Sequence, residues 1–127
     1  MLECWEEFLK GPVKQNASSM RVSLNRKREI RLNMPAMKGL GEPEAVVLLY
    51  DRLNSRIGIR ASRADVPNAY PLRRNTNGLS SRYGRIYASS FCRFHQIRND
   101  KTIFFADARQ DNNGVLVLDL KQSYERR

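Results

Sequence analysis

The sequence predicts a mostly β fold with short helices, built from two internal repeats whose strands meet in one barrel-like core. Three observations carry this expectation. The first is order. Residues 29 to 60 run strand, one or two helical turns, strand, tight turn, strand, and residues 85 to 120 run through the same series. Ile30 falls on Ile86, Leu40 on Ile97, Val46 on Ile103, Ile57 on Val115 and Ile59 on Val117, with the offset growing only from 56 to 58. The second is alternation: most apolar residues in both copies recur at every second position, the period of a half-buried strand. The third is size. One copy is too short to bury an adequate core alone, so two must share one.

The elements divide the chain into five stretches. Residues 1–19 form an N-terminal helix and loop: Leu2, Trp5 and Leu9 fall on one helical face beside Phe8, and Gly11-Pro12 ends it. A helix of two turns is unstable alone in water, so Trp5, Phe8 and Leu9 are candidates for docking on the chain's own barrel, on a second copy or on a protein partner. Residues 20–62 form the first half. Val22 and Leu24 alternate before a charged corner, Asn25-Arg26-Lys27-Arg28, and Ile30 and Leu32 alternate after it. Asn33 is an N-cap candidate for a short helix begun by Met34-Pro35, since proline at a helix start forfeits no hydrogen bond. Gly39 or Gly41 supplies the exit. Val46–Asp51 and Arg56–Ala61 read as a hairpin across the turn Leu53-Asn54-Ser55.

Residues 63–80 read as a linker rich in proline, asparagine and glycine, with room for a short strand at Tyr70 to Arg73. Residues 81–121 form the second half, sharing the same core. Its short helix covers Phe91 to His95 with Ser89 or Ser90 as cap, and Thr102–Arg109 and Val115–Leu120 form a hairpin closed by Gln110-Asp-Asn-Asn-Gly114. Residues 122–127 read as a frayed tail. The expected core is Val22, Leu24, Ile30, Leu32, Val47, Leu49, Ile57, Ile59, Ile86, Ile103, Phe105, Val115 and Val117.

Charge is the second strong signal. Lys and Arg number 23 against 13 Asp and Glu, a net charge of +10. No acidic residue lies between Asp65 and Asp100, a span holding Arg73, Arg74, Arg82, Arg85, Arg93 and Arg98. Arg21, Arg26, Lys27, Arg28 and Arg31 form a second cluster, relieved only by Glu29. Arginine's planar fork suits phosphate oxygens and guanine edges. A polyanion, nucleic acid above all, is the partner such a balance implies, against the plainer reading of a merely basic surface. No apolar run approaches the about 20 residues needed to span a bilayer, so no membrane partner is expected. An N-terminus without a cationic start or apolar middle, and only Cys4 and Cys92, point to a cytoplasmic protein.

The run Arg28-Glu-Ile-Arg-Leu-Asn-Met-Pro-Ala-Met-Lys-Gly-Leu-Gly-Glu-Pro-Glu resembles the signature of the AbrB-like swapped-hairpin family. The second copy, Tyr83-Gly-Arg-Ile-Tyr-Ala-Ser-Ser-Phe, keeps Gly-Arg-Ile and has no proline. Two copies in one chain resemble the MraZ-type branch. The resemblance covers residues 20 to 60 and 81 to 120. It implies a swapped-hairpin pseudo-dimeric barrel and a DNA-binding transcription regulator that contacts duplex DNA through arginines on the corners and first strands. Here those positions are Arg26, Lys27, Arg28 and Arg31 in the first half and Arg82 and Arg85 in the second, expected to line one contiguous face. The alternative is a non-enzymatic basic interaction module, antitoxin-like or an assembly protein, with RNA binding between the two.

Catalysis and cofactors find little support. Cys92 and His95 stand at i and i+3 on one helix face, as a nucleophile and base would, but no orienting carboxylate or oxyanion pocket accompanies them. One histidine and two distant cysteines do not assemble a closed metal site. Asp111-Asn-Asn-Gly114 opens like a calcium loop and lacks its closing glutamate, so it reads as a turn. Phe104 and Phe105 face opposite sides of a strand, so at most one is exposed to stack a base. No catalytic, metal or cofactor residue is expected.

Overall fold

A computed structural model describes residues 20–75 and 83–125. Their apolar residues alternate as the strand period requires, and they assemble into two antiparallel sheets with two short helices. The strands are β1 (Val22–Leu24), β2 (Glu29–Asn33), β3 (Ala45–Asp51), β4 (Arg56–Ser62), β5 (Tyr70–Pro71), β6 (Arg73–Asn75), β7 (Tyr83–Tyr87), β8 (Ile103–Phe105), β9 (Arg109–Gln110), β10 (Leu116–Asp119) and β11 (Ser123–Glu125). The helices are α1 (Met34–Gly39) and α2 (Ser89–Phe94). The six-stranded sheet has the order β11-β8-β1-β2-β7-β6, and the five-stranded sheet β5-β3-β4-β10-β9. Both are open, so the expected single closed barrel is replaced by two sheets over a common core.

Each sheet takes strands from both repeats. In the six-stranded sheet β2 pairs with β7 about the pair Ile30 and Ile86, residues that the repeat alignment makes equivalent. In the five-stranded sheet β4 pairs with β10, Ile59 opposite Leu116 and Ile57 opposite Leu118. All of these are fully buried, and they join Val46, Leu24, Leu32, Phe105 and the helix residues Ala36, Met37, Phe91 and Cys92 in one cluster.

The alignment of the last strand needs one more slip. Val115 and Val117 were expected in the core, yet Leu116 and Leu118 are buried and the two valines are half-exposed on the outer side. An apolar run of four, Val-Leu-Val-Leu, carries no parity of its own, so the partner strand decides which face goes in. Leu49 is likewise half-exposed, opposite Gly58, while Leu48 and Tyr50 turn towards the core.

Other local expectations shift with the pairing. β8 does not form a hairpin with β10; it lies between β1 and β11, and the turn at residues 111–114 joins β9 to β10 instead. The frayed tail is partly a strand, since Ser123, Tyr124 and Glu125 pair with Phe105, Phe104 and Ile103. Residues 63–80 include β5 and β6, one on each sheet, so this stretch is structural and not merely a linker. Asn33 caps α1 as expected, its side-chain oxygen accepting from the Ala36 N–H at 3.2 Å. α2 starts earlier than expected, after Ala88, with no side-chain cap, and Phe94 is 75% exposed. Among the described residues no helix is long and apolar enough to cross a membrane.

Candidate nucleic-acid interface

Strand register gathers the arginines. Across the outer face of the six-stranded sheet one row of directly opposed residues runs Tyr124, Phe104, Ser23, Arg31, Arg85, Arg73. The last three put three guanidinium-bearing residues on adjacent strands about 4.8 Å apart. Like charges directly opposite one another destabilise a sheet. The fold tempers this in two ways. Glu29, only 8% exposed, stands 3.8 Å from Arg31 and 4.0 Å from Arg85. Tyr83 and Tyr87 interleave with the cations, for β7 alternates Tyr83, Arg85 and Tyr87 on one face. Arg31 lies 5.1 Å and Arg85 5.8 Å from the Tyr83 ring centre, while Arg85 at 5.9 Å and Arg73 at 5.8 Å flank Tyr87. Such cation–π contacts hold guanidinium planes in place without neutralising them. One carboxylate among three arginines leaves the row positive.

The first corner is rigidly built. The Asn25 side-chain oxygen accepts from the N–H groups of Lys27 at 3.0 Å and Glu29 at 2.9 Å. Its amide donates to Glu29 Oε1 at 2.8 Å, and Asn99 Nδ2 donates to the Asn25 carbonyl at 2.9 Å. Arg26 and Lys27 are exposed at its tip. Arg28 adopts a left-handed conformation, φ 61°, so it does not continue an extended segment with Arg26 and the two do not share a strand face. Its carbonyl accepts from the Ala88 N–H at 3.0 Å, and its charge opposes the upward push that burial gives the Cys92 thiol. Arg28 therefore faces α2 more than the row.

Of the residues singled out from sequence, Arg31 and Arg85 come together, Arg26 and Lys27 stand at the neighbouring corner, and Arg28 turns aside. Arg82 lies outside the described residues, as do Trp5, Phe8 and Leu9. β7 begins at Tyr83, opposite Asn33, the residue of β2 farthest from the Asn25–Arg28 corner. The contiguous face is made by strand residues instead. Arg73, Tyr83 and Tyr87 were missed, although the period-two series Tyr-Gly-Arg-Ile-Tyr carries the signal for both tyrosines.

Cys92 is fully buried, and His95 packs in an aromatic group with Tyr50, Phe91 and Phe94 at ring-centre distances of 4.6, 4.7 and 4.9 Å. Burial, then the charge of Arg52, pushes the imidazole below its usual range. Among the described residues no group of three or more His, Cys, Asp or Glu side chains is placed to hold a metal ion. No family profile, curated protein or solved structure matches this chain.

Proposed function

We propose that this chain is a non-enzymatic, DNA-binding, transcription-regulator-like protein that grips the backbone of duplex DNA with the outer face of its six-stranded sheet. The observation that carries the reading is the registered row Arg31, Arg85 and Arg73, three cations on adjacent strands, of which Arg31 and Arg85 flank the one carboxylate, Glu29. A sheet that tolerates this repulsion is matched to a polyanion, which relieves it. Arg26 and Lys27 extend the positive surface at one end. The swapped-hairpin pseudo-dimer remains the architecture we favour. Its support is that β2–β7 pairing sets the equivalent residues Ile30 and Ile86 opposite one another, and that each repeat lends strands to both sheets, β2 with β7 in one and β4 with β10 in the other.

Fluorescence anisotropy of a short labelled duplex at several salt concentrations tests this. Three neutralised phosphates at about −0.9 each give a slope of about −2.7 in log K against log salt, and more if the corner engages. No binding at low salt, or an affinity indifferent to salt, sinks the reading.

A further inference from the structure

The two most exposed large apolar residues among those described stand near one another. Phe94, the last residue of α2, is 75% exposed, and Leu53, in the turn between β3 and β4, is 95% exposed. Aromatic rings link the two elements. Phe94 packs edge-on against His95 at 4.9 Å between ring centres, and His95 lies 4.6 Å from the half-exposed Tyr50 on β3. Arg52 is close enough to act on the His95 imidazole, so the turn borders the helix end. The surroundings are basic. Arg52, Arg93 and Arg98 are exposed, and Asp51, the carboxylate of the turn, already accepts from the Asn54 N–H at 3.1 Å and the Asn54 amide at 2.8 Å. An apolar patch rimmed by polar or charged groups is the usual mark of a docking surface.

We infer that this patch receives residues 2–9 of the same chain. The inference goes beyond the nucleic-acid reading and does not depend on it. Three observations select this occupant. The first is pattern: Leu2, Trp5 and Leu9 stand at i, i+3 and i+7, the spacing of anchors on a helix laid against an apolar surface, and a two-turn helix needs such a surface to persist. The second is charge. Residues 2–9 hold Glu3, Glu6 and Glu7 and no lysine or arginine, the complement of Arg52, Arg93 and Arg98 at the rim. The third is reach. Asn99 Nδ2 donates to the carbonyls of Leu24 at 3.2 Å and Asn25 at 2.9 Å, which ties the loop leaving α2 to the end of β1. Four steps of chain lead from Met20 to Leu24 and five from Asn99 to Phe94, so Phe94 lies within about 35 Å of Met20, and residues 10–19 span about that distance when extended. A tether of this length also holds the chain's own segment at a higher local concentration than a second copy supplies.

Trp5 is the one tryptophan of the chain, so its fluorescence reports this segment alone. In the full chain its emission should lie to the blue of tryptophan in water, resist quenching by acrylamide, and stay the same as the protein is diluted. Phe94→Ser with Leu53→Ser should shift the emission to the red and restore quenching. Both side chains point into solvent, so the fold survives, which circular dichroism checks. Phe94→Leu should keep the protection. Glu3→Gln, Glu6→Gln and Glu7→Gln together should weaken the protection and remove its dependence on salt. Tyr124→Ala, at an aromatic residue 55% exposed on β11, should change nothing. Water-like emission from the native chain overturns the inference. So does protection that survives loss of both Phe94 and Leu53, or that Tyr124→Ala abolishes, since the segment then docks elsewhere. Protection that fades on dilution puts a second copy in the patch and overturns it as well. Duplex affinity enters none of these readouts, so their failure leaves the arginine grip standing.

Discussion

On the six-stranded sheet the central outward row reads Tyr124, Phe104, Ser23, Arg31, Arg85, Arg73; on the five-stranded sheet it reads Leu49, Gly58, Val117, Arg109. Both rows lie on pairings between the repeats, β2–β7 in one and β4–β10 in the other. The backbone therefore treats the faces alike, and side chains separate them. On the five-stranded sheet the outward residues pack among themselves: a β-carbon at Gly58 would stand 3.0 Å from Val115 Cγ1 and 3.3 Å from Leu49 Cβ. On the six-stranded sheet Arg31, Arg85 and Arg73 keep their charge, tempered by Glu29 and by the rings of Tyr83 and Tyr87. The apolar row is already in contact with itself, whereas a row of three arginines with one carboxylate keeps a net positive charge.

The largest expected effect breaks that comparison directly. Arg31→Ala with Arg85→Ala should weaken binding by roughly 1.5–3 kcal/mol for each charge-assisted hydrogen bond to phosphate that it removes and flatten the salt slope by about 0.9 per phosphate. The same pair of changes relieves repulsion in the row but also removes both cations beside the buried Glu29 carboxylate, so the melting temperature should fall modestly. Arg60→Ala with Arg109→Ala, on the other sheet, subtracts the same net charge and should cost little affinity. Equal losses in anisotropy titrations of the two double variants would mean diffuse attraction to a basic protein and no site.

A smaller effect compares the inside of one sheet with the outside of the other. Gly84 faces inward, where an added β-carbon would meet Met37 Sδ at 2.9 Å and Leu72 Cδ1 at 3.0 Å. Both neighbours are buried, one on α1 and the other between β5 and β6. Gly84→Ala should destabilise by roughly 1–3 kcal/mol, the usual range for an overpacked core. Gly58→Ala meets a methyl of the half-exposed Val115, which can rotate away, and Leu49 Cβ, which only a small backbone shift can relieve, and it gains strand propensity. It should cost less. Urea denaturation of both variants decides; a larger loss at Gly58 would show the outer face of the five-stranded sheet to be as tightly packed as the core.

Much of this architecture was legible in local chemistry. Asn33 followed by Met34-Pro35 specified α1, and the turn after Asp51 is held as its residues suggest, with Asp51 Oδ1 accepting from the Asn54 N–H at 3.1 Å and Ser55 at φ 54°. What the sequence left open was pairing. Val115 to Leu118 can bury either parity, and only the register against Ile57 and Ile59 selects Leu116 and Leu118. β8 is adhesive on both edges, and nothing local says that it lies between β1 and β11. The candidate interface shows the same limit. Arg31 and Arg85 were visible as arginines flanking Ile30 and Ile86, but the row exists only once β2, β7 and β6 are paired, so Arg73 and its tyrosines stayed hidden. Conversely, Arg28 looked equal to its neighbours until its positive φ turned it from the face.

The smallest expected effect concerns pH and lies away from both faces. His95 follows the last residue of α2, where a helix end would favour its cation. Burial among Tyr50, Phe91 and Phe94 acts the other way and prevails, with Arg52 adding to it, so the folded imidazole titrates below its ordinary value of 6.5. A proton therefore binds the unfolded chain more readily than the folded one. Stability from this group is complete above pH 6.5 and declines as pH falls from there towards the lowered folded value. Among the described residues, Asp51 is the other group with a shift that bears on acid stability. Hydrogen bonds from Asn54 hold its carboxyl below 3.8, so its contribution persists through the histidine window and is lost only in stronger acid. Melting temperatures measured from neutral pH down to the upper edge of the carboxylate range should fall slightly for the native chain, and His95→Gln should remove that part of the slope. A native melting temperature that rises on acidification through this window would place the imidazole proton in the folded state, contrary to the aromatic packing around it.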